Sequence, residues 1–280
     1  MTTAVATMAA AVVAAPNEAR VERVPVPEPG PHEVLVRIEG CGVCASSIPL
    51  WQGRDWFSYP LEPGAPGHEG WGIVEAGALE PGTRVALLSQ HAFAMYDVAP
   101  AEHCVPIDEP LPGEALACAV NVVRRAEVSE GTRVGVVGIG FLGTVVAELC
   151  ERRGAEVARV RRDTPVLGAF ERVIECAGTQ SALDTASRLV AERGRLVVAG
   201  YHQDGTRTID LQSWNWRGID VVNAHERDPA AYVRGMREAA ELDLEVDRLL
   251  THRFPLERLG DAFAAAIERP PGFVKAWVEP

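Results

Sequence analysis

Two groups of residues in this chain have the types and spacing for chemistry. Gly138, Gly140 and Gly143 form G-x-G-x-x-G, directly after the apolar run 134–137 and directly before a stretch with helical periodicity. That is the context in which such a triplet binds a dinucleotide. The first glycine permits a tight turn, the second lets the backbone approach a pyrophosphate, and the third allows close helix-to-strand packing. The phosphates then rest on the N–H groups of the helix start. The second group is dispersed: Cys44 in GCGVCASS, His68 in PGHEG and Glu114 in PGEALACAV. Thiolate, imidazole and carboxylate are all zinc ligands, and three of them with one open position describe a catalytic site. Taken singly, each is better explained as a buried thiol, a turn histidine or a helix-start carboxylate.

A carboxylate about 20 residues beyond the glycines commonly holds the ribose of NAD. Arg161 occupies that place, followed by Arg162. A guanidinium there clamps a 2′-phosphate through charge-assisted hydrogen bonds, whereas an acid would repel it. NADP is therefore expected over NAD, with Asp163 supplying the acid instead if the register slips.

Both groups need elements to carry them. From residue 21 to 108 the sequence reads as short strands, EVLVRIEG, GWGIVEAG and TRVALLS, punctuated by PEPGP and EPGAPG. This all-β pattern predicts a compact, partly closed sheet. Leu116, Val120, Val123 and Ala126 have helical spacing over 116–127. From Thr132 apolar strands alternate with helices: RVGVVGIG, a helix over 142–153, EVARV, ERVIECAG, a helix over 181–192, RLVVAG and IDVVNAH. Strands without polar interruption, separated by helices, indicate a parallel sheet covered on both faces. The tail, THRFPLERLGDAFAAAIERP then GFVKAWVEP, reads as loop, amphipathic helix and closing strand, expected to pack back on the first domain.

At 280 residues and 47% hydrophobic, the chain can bury two modest cores. A net charge of -12 argues against a nucleic-acid partner and for a small one. The alanine-rich start lacks the basic region of a secretory signal. No stretch reaches the roughly 18 to 20 apolar residues needed to span a bilayer, so a cytoplasmic protein without a membrane partner is expected. Cys41, Cys44, Cys104, Cys118, Cys150 and Cys176 are scattered, which favours free thiols apart from any that serve a metal.

The run GCGVC, PGHEGWG, RVALLS, AFAMYDVAPA, GEALACAVNVVRRA, GTRVGVVGIGFLG and VIECAG resembles, in this order and over nearly the whole chain, a known family. It is the zinc-dependent alcohol and polyol dehydrogenase branch of the medium-chain dehydrogenase/reductase superfamily. The resemblance implies an α/β protein of two parts. One is a GroES-like catalytic domain, a partly closed β-barrel, over 1–121 and 246–280. The other is a shortened Rossmann domain, a doubly wound parallel sheet, over 122–245. The resemblance further implies that Cys44, His68 and Glu114 bind one catalytic zinc. Glu69 would approach that metal from outside the ligand set and exchange with its bound water, and Ser46 would pass the alcohol proton outward. The implied cofactor-binding set is Gly138, Gly140, Leu142, Gly143, Arg161, Arg162, Ala177 and Gly200.

Departures from the family pattern carry expectations of their own. Ala45, Ser46 and Ser47 stand where relatives commonly have Gly-Thr/Ser-Asp. Ser47 thereby replaces a carboxylate that steadies the zinc site, which predicts weaker metal binding. Pro49 and Ala115 also differ from the usual residues. RVALLSQHAFAMY passes directly between strands, without the four-cysteine lobe of a structural zinc, so a second zinc is not expected and Cys41 is read as a packing residue. Only RRDTPVLGAF separates EVARV from ERVIECAG, where relatives place a helix, a strand and a helix. A sheet of about five strands with an open adenosine end is expected.

The reaction this implies is hydride transfer between NAD(P) and a secondary alcohol or ketone on a sugar, aminosugar or cyclitol, in secondary metabolism. The enzyme would be a homodimer joined near residues 219–223. Trp51, Trp56, Phe57, His202 and His225 are candidate substrate contacts. Two other readings stand beside it: a zinc-free reductase of activated alkenes, and a non-redox lyase, epimerase or binding module on the same fold.

Overall fold

A computed structural model of the chain describes residues 6–162, 168–242 and 244–280. The chain forms two compact units, one of Met1–Ala117 with Asp228–Pro280 and one of Cys118–Arg227.

The first unit opens with an antiparallel hairpin of β1 (Thr7–Ala15) and β2 (Glu18–Pro25). The central strand is β3 (Glu33–Gly42), whose Val34, Val36 and Ile38 are buried while Arg37 faces solvent, the period-two pattern of a half-buried strand. A 3-10 turn (Ala45–Ser47) and a short helix α1 (Ile48–Trp51) follow. The chain continues through β4 (Glu69–Gly77), β5 (Arg84–Leu87), β6 (Tyr96–Pro100) and β7 (Cys104–Pro106) to α2 (Gly113–Ala126). One long edge of β3 pairs antiparallel with β4, and residues 33–37 of its other edge pair with β6.

The second unit holds β8 (Arg133–Val137), α3 (Phe141–Arg152), β9 (Glu156–Val160), β10 (Phe170–Glu175), α4 (Gln180–Leu189), β11 (Val190–Val198), α5 (Leu211–Arg217) and β12 (Asp220–Asn223). Its strands are parallel in the order β12-β11-β10-β8-β9, which makes the expected five among the described residues. The helix expected to reach residue 192 stops at Leu189, because Val190 already pairs with Phe170 on β10. From β8 the chain moves outward to β9, then crosses back to β10 on the other side. Strand order therefore reverses between β8 and β10, and ligands of open parallel sheets bind beyond the C-terminal strand ends at such a reversal.

The tail supplies α6 (Pro229–Ala240), β13 (His252–Pro255), α7 (Leu259–Glu268) and β14 (Ala276–Glu279), all in the first unit. β14 pairs with residues 41–42 of β3, and β13 pairs with β14. The closing helix and strand thus pack as the sequence suggested. The return to this unit comes at Asp228 rather than at 246. The reason is α6: its Met236 is fully buried beside Gly113, and its Gly235 lies against Ala117. All six cysteines are free. No helix among the described residues is long and apolar enough to cross a membrane.

Candidate metal centre and cofactor crevice

Strand pairing delivers the first group of residues. The Val43 N–H bonds to the Ala276 carbonyl at 2.9 Å, holding the end of β3 against the closing strand. This places Cys44 at the mouth of the 3-10 turn, where the Ser47 N–H bonds back to the Cys44 carbonyl at 3.1 Å. Glu69 begins β4 in register with Gly42, and His68 immediately precedes it. As a result one ligand atom each of Cys44, His68 and Glu69 lies within 4.8 Å of the others. The Ser46 hydroxyl sits 3.1 Å from Cys44 Sγ and 3.5 Å from His68 Nε2.

His68 is oriented by its far nitrogen. Nδ1 lies 2.9 Å from the Pro66 carbonyl, and a carbonyl can only accept, so Nδ1 carries the proton in that bond. A metal-binding imidazole is fixed in the same way, with Nε2 turned to the ligand set. The surroundings are strongly negative. Burial opposes a charged His68, yet the Cys44 hydrogen bond and the charges of Cys44, Glu114 and Glu69 lift its pKa to about 10. Negative charge gathered around a half-buried imidazole also favours a bound cation.

Glu114 lies in the first turn of α2, buried at 8% exposure, and its charge acts on both His68 and Lys275. It flanks the cluster, but the tight set among the described residues contains Glu69 in its place. The physical reason is adjacency. Glu69 follows His68 on a strand paired to β3, whereas Glu114 approaches from a helix.

Lys275, which sequence reasoning missed, completes the arrangement. Its ammonium is 2.8 Å from Glu69 Oε1 and 2.7 Å from Oε2, with both residues buried. The Oε2 approach lies outside hydrogen-bond geometry, so that buried oxygen has no proper donor. Burial works against the charge on Lys275, but Glu69 and then Cys44 raise its pKa nonetheless. Space for the pair comes from Gly42, where a Cβ would fall 1.9 Å from Glu69 Oε2 and 2.8 Å from Lys275 Cε.

In the second unit the glycine triplet follows β8. Gly138 has φ +94°, and a Cβ there would meet Ala177 Cβ at 2.7 Å; one on Gly143 would meet the Gly138 carbonyl at 1.9 Å. The turn and packing roles read from the sequence are therefore physical necessities. A Cβ on Gly140 would meet nothing within 4 Å, and no side chain caps α3 there. That open approach is what a bound pyrophosphate needs. Leu142 is half-buried in the first turn of α3. Ala177 and Gly200 follow the neighbouring strands β10 and β11, and a Cβ on Gly200 would lie 2.1 Å from the Gly178 nitrogen. Arg161 and Arg162 are exposed just beyond β9, and Asp163 lies outside the described residues.

Glu175, at the end of β10, was also missed. Its side chain is fully buried; Oε1 accepts the N–H groups of Ala177 and Gly178, each at 2.7 Å, and Oε2 lies 2.9 Å from His202 Nε2. The available signal was an acid at the end of the otherwise apolar run VIE. The substrate candidates divide. Trp51 is 5% exposed and stacks on Phe263 with ring centroids 4.7 Å apart, as part of the hydrophobic core. Trp56 is exposed at 67% and touches half-buried Phe57. Both ring nitrogens of His202 are engaged, by Glu175 and by Arg207 Nε at 2.7 Å, so neither is free to bond a substrate in this arrangement. His225 is exposed after β12.

Comparison with known proteins places this geometry. Residues 30–191, more than half the chain, match the model of the alcohol dehydrogenase GroES-like domain. Sorbitol dehydrogenase of Ovis aries is 27% identical, covering 90% of this chain and 91% of its own length. That alignment spans 324 positions against 280 residues, so it carries gaps, in keeping with a shortened chain. L-threonine 3-dehydrogenase of Ruegeria pomeroyi is 25% identical over 86% of this chain and 91% of its own. The cobalt- and zinc-bound thermostable alcohol dehydrogenase of Pyrobaculum aerophilum shares the fold, with a TM-score of 0.80, 23% identity, and coverage of 98% of this chain and all of that one.

Proposed function

Because the chain belongs to the alcohol dehydrogenase GroES-like family, we propose that it is a zinc-dependent oxidoreductase exchanging a hydride between NADP and a secondary alcohol or ketone. The substrate class we favour is a sugar, aminosugar or cyclitol, by analogy with the sorbitol dehydrogenases it is similar to. The observation that carries the reading is the gathering of Cys44, His68 and Glu69 within 4.8 Å. Thiolate, imidazole and carboxylate suit zinc, and the charges of Cys44, Glu114 and Glu69 make the surroundings of His68 negative.

Cys44, His68 and Glu69 would hold the ion, with Glu114 adding negative charge beside them. When bound, zinc supplies Lewis acidity toward the substrate oxygen, and the nicotinamide supplies hydride exchange. The protein's own part is to orient and to move a proton. Pro66 fixes the His68 ring, Lys275 holds the rotamer of Glu69, and Ser46 is placed to take the alcohol proton from the ligand set. Arg161 and Arg162 would read the 2′-phosphate of NADP.

A homodimer forms part of the proposal. β12 is an edge strand with Val221 exposed, and Trp216 nearby is 89% exposed, an apolar rim suited to a second copy. Free thiols and the lack of a membrane-spanning helix among the described residues support a cytoplasmic setting. Metal content and nicotinamide-linked absorbance over a panel of polyols and ketones test the reading. Cys44→Ala and His68→Ala should lose zinc and turnover together, and full activity in either variant excludes it. Zinc without any redox turnover would favour a lyase or epimerase.

A further inference from the structure

Beyond the glycine triplet, the second unit carries a polar chain that runs from fully buried Glu175 through half-buried His202 and Arg207. Glu175 Oε1 gathers the Ala177 and Gly178 N–H groups. Its Oε2 meets His202 Nε2, His202 Nδ1 meets Arg207 Nε, and Arg207 Nη2 donates to the Gly178 carbonyl at 2.9 Å. The path closes on itself: it starts at Gly178 N–H and ends at Gly178 C=O. Donor chemistry fixes the ring state. A guanidinium has no acceptor, so Nδ1 must accept, and Nε2 then carries the proton given to the carboxylate. The loop after β11 is thereby tied to the turn after β10, against which Gly138 packs. The glycine turn after β8 and the turn after β10 flank the strand-order reversal, and the ring of bonds stiffens the β10 side of it.

We propose that Glu175, His202 and Arg207 form a brace that holds this side in its binding shape, making them positioning residues for the nicotinamide dinucleotide. The inference rests on the cofactor reading above. Cutting the ring of bonds leaves a buried carboxylate and a guanidinium each short of a partner. If that loss falls on the competent shape of the β10 side, affinity drops roughly ten- to a hundredfold.

The test is fluorescence titration of the zinc-loaded protein with NADPH, alongside melting temperature. His202→Phe should raise the NADPH Kd at least about tenfold, with turnover at saturating cofactor changed far less. His202→Gln offers an amide N–H to Glu175 and an amide oxygen to Arg207, and should restore the Kd to within about threefold of wild type. A purely structural role would lower stability in both variants without this rescue. Should His202→Phe not fold, Arg207→Gln carries the same expectation. An unchanged Kd in the cut variants, with wild type binding normally, overturns the brace alone. Wild-type protein that binds neither NADPH nor NADH removes the cofactor reading and the brace together.

Discussion

The carboxylate of Glu69 and the ammonium of Lys275 meet at 2.7 and 2.8 Å in a site from which water is nearly excluded, at 1% and 5% exposure. Removing one partner of such a pair strands the other charge. Lys275→Met should therefore cost about 3–5 kcal/mol in denaturant unfolding, and Lys275→Met with Glu69→Gln should recover most of it. A loss below about 1 kcal/mol in the single variant would contradict the pairing. The pH dependence has a definite sign. The folded pKa of Lys275 is raised above its ordinary 10.5, so its contribution is complete below pH 10.5 and disappears as pH climbs through the folded value. Wild type should lose stability there more steeply than the double variant.

The glycine triplet separates binding from folding. Gly143→Ala places a methyl 1.9 Å from the Gly138 carbonyl and should unfold or severely destabilise the protein. Gly140→Ala meets nothing within 4 Å in the protein and should fold with a melting temperature within a few degrees of wild type. Its NADPH affinity should fall by an order of magnitude or more, because the methyl occupies the approach of the pyrophosphate. Undiminished NADPH binding by Gly140→Ala would remove that role.

Cofactor choice tests the arginines. Replacing Arg161 and Arg162 together by glutamate exchanges two exposed cations for anions at the end of β9. The ratio of NADPH to NADH affinity should fall by about two orders of magnitude or more, since each lost charge-assisted contact is worth about 1.5–3 kcal/mol. An unaltered ratio assigns the 2′-position to other residues.

Two tryptophans five residues apart should behave oppositely. Trp51→Ala opens a cavity against Phe263 and should cost about 3–5 kcal/mol. Trp56→Ala, at an exposed position, should leave stability within about 0.5 kcal/mol. If Trp56 meets substrate, KM rises in that variant alone. Equal melting temperatures for the two would reverse the assignment of Trp51 to the core.

Local features were legible because their causes are local. The strand, turn and helix around Gly138, Gly140 and Gly143 follow from local backbone conformation and periodicity, and the period of two in EVLVRIEG depends only on strand geometry. The short run between β9 and β10, set against the longer connection that the family resemblance implies, announced a shortened sheet. Cys44, His68 and Glu114 were readable as ligand types, and the family resemblance pointed to a common centre, with Glu69 expected beside the ligand set rather than in it.

Tertiary structure alone decided which atoms meet. Lys275 lies 206 positions from Glu69 and reaches it only because β14 closes against β3 beside Gly42. The choice between Glu69 and Glu114 rests on ångström differences between a strand and a helix that periodicity does not encode. His202 read as a free pocket histidine until Glu175 and Arg207 were found on both its nitrogens, and Trp51 read as pocket until Phe263 covered it. Sequence carries propensity and pattern, which act along the chain. Pairing of charges and filling of space are set by neighbours across it, and those exist only once the strands have chosen their partners.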